Sequence, residues 1–275
     1  MKVGFIGFGE VASTLARGLM GVDVEIYTCL EGRSVRTREL ARLMNVQLCS
    51  SHREMAQNVD MILSAVTPSQ AVMVARKLGR IRGVYVDLNN VSPSTVRTAL
   101  ELVGKANTVD AAIMGSVLKK GLKVNIVASG PAAAEFAQLN DYGMDIDVIG
   151  PDPGQASAIK MMRSAYTKGV SALLLESLFA AHRMGIDDEA LKYISQTECP
   201  DFQEKAVSRM TSSLYHARRR SEEMEEVVKM LSSETEPFMS RASLEFFQLL
   251  TERIGKMDEK PSNMHQVFQK LDKKE

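Results

Sequence analysis

Near the start of the chain, Gly7-Phe8-Gly9-Glu10-Val11-Ala12 reads GxGxxA. It stands between an apolar run at 2–6 and a helical pattern with Val11, Leu15 and Leu19. A strand feeding a helix through such a turn is the context in which backbone amides hold a pyrophosphate. Gly7 permits the tight turn, Gly9 lets backbone approach the anion, and Ala12 keeps helix and strand close. Gly7, Phe8, Gly9, Glu10 and Val11 are therefore expected to bind a dinucleotide.

The end of the second strand selects which one. An NAD site usually carries Asp or Glu about 20 residues beyond the fingerprint. Tyr27-Thr28-Cys29 occupies that place, and Arg33, Ser34, Arg36 and Arg38 follow. Guanidinium groups suit a phosphate, and a hydroxyl adds a bond. The expectation is NADP, with Thr28, Arg33 and Ser34 on its 2′-phosphate and Arg36 a further candidate. Glu31 on a ribose hydroxyl would instead favour NAD. Two more strand ends, Val66-Thr67-Pro68 and Asn89-Asn90-Val91, should face the cofactor, because ligands sit outside the carboxyl ends of parallel strands. Val66, Thr67, Pro68 and Asn90 are taken as candidates, although Pro and Asn also serve as ordinary turn residues.

These positions need a scaffold. Strand-like runs at 2–6, 22–28, 46–49, 61–66, 83–88, 108–113, 123–129 and 145–150 alternate with helical patterns. The helices are expected near 35–44, 52–58, 69–79, 93–103 and 132–141. Such alternation implies an α/β, doubly wound, mostly parallel sheet over residues 1–150. After Pro151 and Pro153 the pattern turns helical, with one helix from Gly154 to about Met184. Further helices are expected at 187–197, 201–217, 221–231 and 237–254. Residues 151–275 thus read as an all-α second domain. Fourteen of the 18 glycines lie in 1–150, as a turn-rich first half requires. The tail from Met257, with Lys256, Lys260, Lys270, Lys273 and Lys274, reads as polar and mobile.

Composition narrows the function. Lys plus Arg and Asp plus Glu are both 34, so no net field draws in nucleic acid or an acidic membrane. No apolar run reaches the ~18 residues of a membrane span. The chain opens on a strand-like run rather than a basic region and signal core, so a cytoplasmic protein is expected. Cys29, Cys49 and Cys199 form no CxxC pair, and His52, His182, His216 and His265 have no metal-ligand spacing. No metal is expected.

Four segments together resemble the β-hydroxyacid dehydrogenase family, the relatives of 3-hydroxyisobutyrate and 6-phosphogluconate dehydrogenases. They are VGFIGFGEVASTLARGL, VDLNNVSPSTVR, VDAAIMGSVLKKG and GPDPGQASAIKMMRS. The resemblance makes Lys160 the catalytic lysine and places Ser164 where the family has asparagine. It aligns Met114-Gly115-Ser116 with the family's substrate-anchoring Ser-Gly-Gly. The C-terminal part, with HARRRSEEMEEV and ETEPFMSR, looks like a divergent branch.

The residues agree with a chemical role for Lys160. It shares a helix face with Ser164 four positions on, and its neighbours Ala158, Ile159, Met161 and Met162 are small or apolar. Partial burial would lower its pKa toward a useful range. The expected reaction moves a hydride between nicotinamide and a small β-hydroxyacid-like substrate, with Lys160 as general acid/base and Ser164 beside it. Gly115, Ser116 and Lys168 would meet the substrate, expected to be anionic. Lys168 could equally line an interdomain cleft. The resemblance implies a homodimer. An imine or other carbonyl reductase on the same fold, or an NADP-binding regulator without catalysis, are the alternatives.

Overall fold

The computed structural model describes residues 1–198 and 200–272. Cys199, Lys273 and Lys274 lie outside the described residues. Two compact units divide the chain, Met1–Lys160 and a second beginning at Met161.

The first unit alternates strands and helices. β1 (Lys2–Ile6), α1 (Glu10–Met20), β2 (Glu25–Cys29), α2 (Val35–Leu43), β3 (Gln47–Cys49), α3 (His52–Asn58) and β4 (Met61–Ser64) lead. α4 (Ala71–Leu78), β5 (Val84–Asp87), α5 (Pro93–Val103), β6 (Thr108–Ile113), α6 (Val117–Lys120), β7 (Asn125–Ser129), α7 (Ala133–Phe136) and β8 (Asp145–Gly150) follow. The sheet order is β3-β2-β1-β4-β5-β6-β7-β8. β1 to β6 run parallel, and β7 pairs antiparallel with β6. β8 is parallel to β7. The order reverses between β1 and β4, which makes a switch point beside Gly7.

Burial explains the strands. Every residue of β4, β5 and β6 is buried, as expected of parallel strands covered on both faces. Local capping sets the helix starts. Ser34, Ser51 and Ser92 accept hydrogen bonds from the amides of Thr37, Glu54 and Thr95, and Pro93 sits in the first turn of α5. The helix expected at 132–141 is only α7 followed by a 3₁₀ segment over Ala137–Tyr142. Asn140 turns this segment toward β8, exchanging hydrogen bonds with Ile146 N and O.

α8 (Gln155–Arg183) starts in the first unit and is one continuous helix of 29 residues. α9 (Asp187–Ser195), α10 (Phe202–Tyr215), α11 (Ala217–Leu231), α12 (Phe238–Ile254) and α13 (Met264–Asp272) complete the second unit. α11 starts four residues before the expected 221, directly after His216. The tail is also corrected. Through Asp272 it is no mobile strand of lysines, because α13 buries Val267, Phe268 and Leu271. No helix among the described residues is long and apolar enough to cross a membrane.

Candidate nucleotide-binding and lysine site

Two glycines create the cradle after β1 in different ways. Gly7 stands at φ +83, and a Cβ there would lie 2.4 Å from Ala65 O. Only glycine allows β1 and β4 to approach so closely at the switch point. Gly9 caps α1, and a Cβ there would meet nothing within 4 Å. No side chain caps the first turn of α1, so its amides are left to an external acceptor. A pyrophosphate fits this opening on both counts. Glu10 is exposed and Val11 half-buried. Phe8 contributes backbone only. Its ring is buried against Phe5, edge to face at 6.1 Å.

Beyond β2 the expectations divide. Thr28 is fully buried, and its hydroxyl donates to Phe5 O at 2.9 Å. It ties β2 to β1 and offers no donor to a phosphate, which corrects its assignment. Ser34 oxygen accepts from Thr37 N, although the residue is exposed. Arg36 is exposed. Arg33 is half-buried, and its Nε is shut from solvent with no acceptor among the described residues.

A residue that the sequence reading passed over lies beside it. His52 opens α3, and its Nε2 is likewise buried and unpartnered. Burial, then the charge of Arg33, hold the His52 pKa below the ordinary histidine value. No motif marks this histidine. Its only signal was its place just after the third strand.

The ends of β4 and β5 are locked together. Asn89 is buried, accepts from Val66 N at 2.7 Å and donates from Nδ2 to Ser64 Oγ at 3.3 Å. Its own amide donates to Asp87 Oδ1 at 2.9 Å. Asn89 thus shapes the wall, while half-buried Asn90 and exposed Thr67 and Pro68 remain near its surface.

Asp87 and Asp110 are register partners on β5 and β6. Asp110 is the better satisfied. Its Oδ2 accepts from Gly154 N and Ser157 N, both at 2.9 Å, and its Oδ1 accepts from Ser157 Oγ at 2.6 Å. It caps α8 from a strand 44 residues upstream. Arg97 of α5 donates to Pro153 O at 2.9 Å and fixes the same entry. Lys160 follows Ser157 by three residues and is half-buried. Its charge favours the ionised form of Asp87. Desolvation outweighs that help and pushes the Asp87 pKa up to about 7.

The substrate candidates are dispersed. Gly115 and Ser116 are exposed after β6, and Ser116 precedes α6 with no side-chain cap bond. Ser164 is half-buried, one turn beyond Lys160 on α8. Lys168 departs from expectation. It is buried, and its Nζ lies 2.8 Å from Glu223 Oε2. Its charge is committed to the interior of the second unit rather than presented to a substrate.

Comparison with known proteins fits this arrangement. The family described as NADP oxidoreductase, coenzyme F420-dependent, matches residues 2–90. A domain of unknown function matches residues 181–250. An uncharacterized 28.5 kDa protein of Methanothermus fervidus is 39% identical over 254 residues, covering 92% of this chain and 100% of its own. The conserved protein MTH1747, whose structure is described as similar to 3-hydroxyacid dehydrogenases, is 51% identical. That alignment covers 92% of this chain and 97% of the other, with a TM-score of 0.83. A Mycobacterium tuberculosis 3-hydroxyisobutyrate dehydrogenase shares the fold at 14% identity and TM-score 0.75, covering 99% of each chain. The chain belongs to the family of the first two proteins, a divergent branch of the NAD(P)-dependent oxidoreductases built on the 3-hydroxyacid dehydrogenase fold.

Proposed function

We propose that the protein is an NADP-dependent oxidoreductase that interconverts a small hydroxyacid and its oxo form, with Lys160 as general acid/base. One observation carries this reading. The glycine cradle and Lys160 belong to one compact unit, and Lys160 stands on a helix start that Asp110 and Arg97 both fix.

The cofactor, when bound, accepts or delivers the hydride at its nicotinamide ring. The protein's own residues do the rest. The α1 amides and Gly9 hold the pyrophosphate, while Arg33, with Arg36 and Ser34 near it, favours a 2′-phosphate. Lys160 removes the hydroxyl proton as the alcohol carbon loses hydride, and returns a proton to the carbonyl oxygen in reduction. Ser164, one turn on, hydrogen-bonds the same oxygen or its neighbour. Gly115 and Ser116 present an amide and a hydroxyl to the substrate's carboxylate.

The Lys160→Ala variant tests the reading. With a panel of β-hydroxyacids and β-oxoacids, turnover should fall about 10²–10⁴-fold, the usual contribution of a positioned acid/base. NADPH binding, followed by fluorescence, should be unchanged. Turnover within twofold of the parent removes Lys160 from the chemistry.

A further inference from the structure

We propose that His52 and Arg33 together receive the phosphomonoester on the adenosine ribose of NADP, with His52 a cofactor-selecting residue. The inference rests on the NADP reading above and adds to it a residue on a different strand end.

β2 and β3 are paired neighbours with Cys29 opposite Cys49, so the segments leaving their carboxyl ends start side by side. One segment carries Arg33, the other His52. Each contributes a nitrogen closed to solvent and, among the described residues, without a partner: Arg33 Nε and His52 Nε2. Buried polar atoms are rarely left so. Guanidinium nitrogen can only donate, so the missing group must be an acceptor. A phosphomonoester has three acceptor oxygens and can serve both nitrogens at once.

Two of the other candidates at this edge already hold hydrogen bonds, while Arg36 is exposed. Thr28 donates to Phe5 O, and Ser34 accepts from Thr37 N. The backbone of Arg33 is fixed, its N donating to Leu30 O and its O accepting from Arg38 Nε, while its neighbours face solvent. Glu31, Gly32 and Ser34 are exposed, and Gly32 stands at φ +67 with open space at its Cβ position.

Charge sets a distinctive signature. Arg33 and Lys77, from the β2–α2 segment and α4, oppose protonation of His52, while Glu31 favours it. Burial is the largest part of the opposition, so the free ring is biased toward neutral. A dianionic phosphate reverses this balance and draws a proton onto the imidazole. NADPH binding should therefore take up protons near neutral pH, and NADH binding should not.

Isothermal titration of the full chain with NADPH and with NADH measures this. It is run between pH 6.5 and 8.5 in buffers of different ionisation enthalpy. Parent protein should bind NADPH with fractional proton uptake and lose affinity as pH rises. His52→Gln keeps a side-chain donor but cannot take up a proton. It should abolish the uptake and weaken NADPH about tenfold, equal to about 1.4 kcal/mol, leaving NADH within twofold. Arg33→Gln should also weaken NADPH, and the double variant should lose less than the product of the two. Equal weakening of both dinucleotides by His52→Gln, or unchanged NADPH affinity and uptake, overturns the proposal. So does tighter binding of NADH than NADPH by the parent, which would leave the dinucleotide reading standing with Glu31 on the ribose. Binding of neither dinucleotide overturns both.

Discussion

The two units keep their buried polar groups for different purposes. In the first, Thr28, Asp87, Asn89 and Ser129 are buried near the ends of strands and Asp110 within β6. Thr28, Asn89 and Asp110 each bond the backbone of a neighbouring element. In the second, several buried hydroxyls return to their own helices, while buried Ser213 Oγ has no partner among the described residues. Ser171 donates to Thr167 O and Ser243 to Met239 O. A helix satisfies its backbone internally, whereas loops leaving a sheet have amides with no ladder partner. Side chains must serve those amides, and the same ties fix the loops that carry chemistry. In the second unit the buried ammonium of Lys168 is instead paired with Glu223.

The comparison breaks most clearly at Asp110. Asp110→Ala leaves the amides of Gly154 and Ser157 and the hydroxyl of Ser157 without their acceptor. Bonds to a charged group contribute about 1.5–3 kcal/mol each, so a loss of about 4 kcal/mol is expected after relaxation. Thermal unfolding should show it as a large drop in Tm. Asp110→Asn keeps an acceptor and should lose about half as much. If the alanine variant lies within 1 kcal/mol of the parent, roughly what an ordinary surface change does, the strand does not hold this helix.

The ion pair of the second unit is the next test. Glu223→Gln leaves the Lys168 ammonium buried beside Arg219 and Arg220, whose charges already oppose its protonation. Breaking a buried pair on one side costs about 3 kcal/mol, reduced here because Glu223 is a quarter exposed. About 2 kcal/mol is expected by denaturant titration. Lys168→Met with Glu223→Leu should recover most of it. A double variant no more stable than the single one would mean that the pair specifies the packing.

Much of this was readable from the chain, and the exceptions share a cause. The GxGxxA turn, the helix starts at Ser34 and Ser92, and α8 are local patterns of spacing and capping. What failed was non-local. Alternation of strands says nothing of direction, so the antiparallel β7 was invisible. Thr28 sits at a strand end where a phosphate donor belongs, but its rotamer faces Phe5 O across the sheet. Asp110 caps a helix 44 residues away, a tie no window detects. Lysines hid α13, whose apolar residues Val267, Phe268 and Leu271 occupy only one face. His52 carries no motif at all.

The finest contrast lies within the first unit, between the two aspartates side by side. Both are buried, and desolvation raises both pKa values. Asp110 recovers much of the cost from Gly154 N, Ser157 N, Ser157 Oγ and Ser129 Oγ. Asp87 has Asn89 N on one oxygen and, among the described residues, no partner on the other. Its pKa is pushed up to about 7, against an unfolded value of 3.8. Between those values the folded state holds a proton that the unfolded state has released. The stabilisation is therefore fully present below the lower value and lost as pH rises through the upper one. Integrated from pH 5.5 to 7.5, this one group should cost roughly 2 kcal/mol. Asp87→Asn keeps an oxygen for Asn89 N and cannot ionise, so its stability should lack that slope. Denaturant midpoints at the two pH values measure the difference. Equal pH dependence in parent and variant would mean that Asp87 is ionised throughout, with Lys160 supplying enough charge to hold it so.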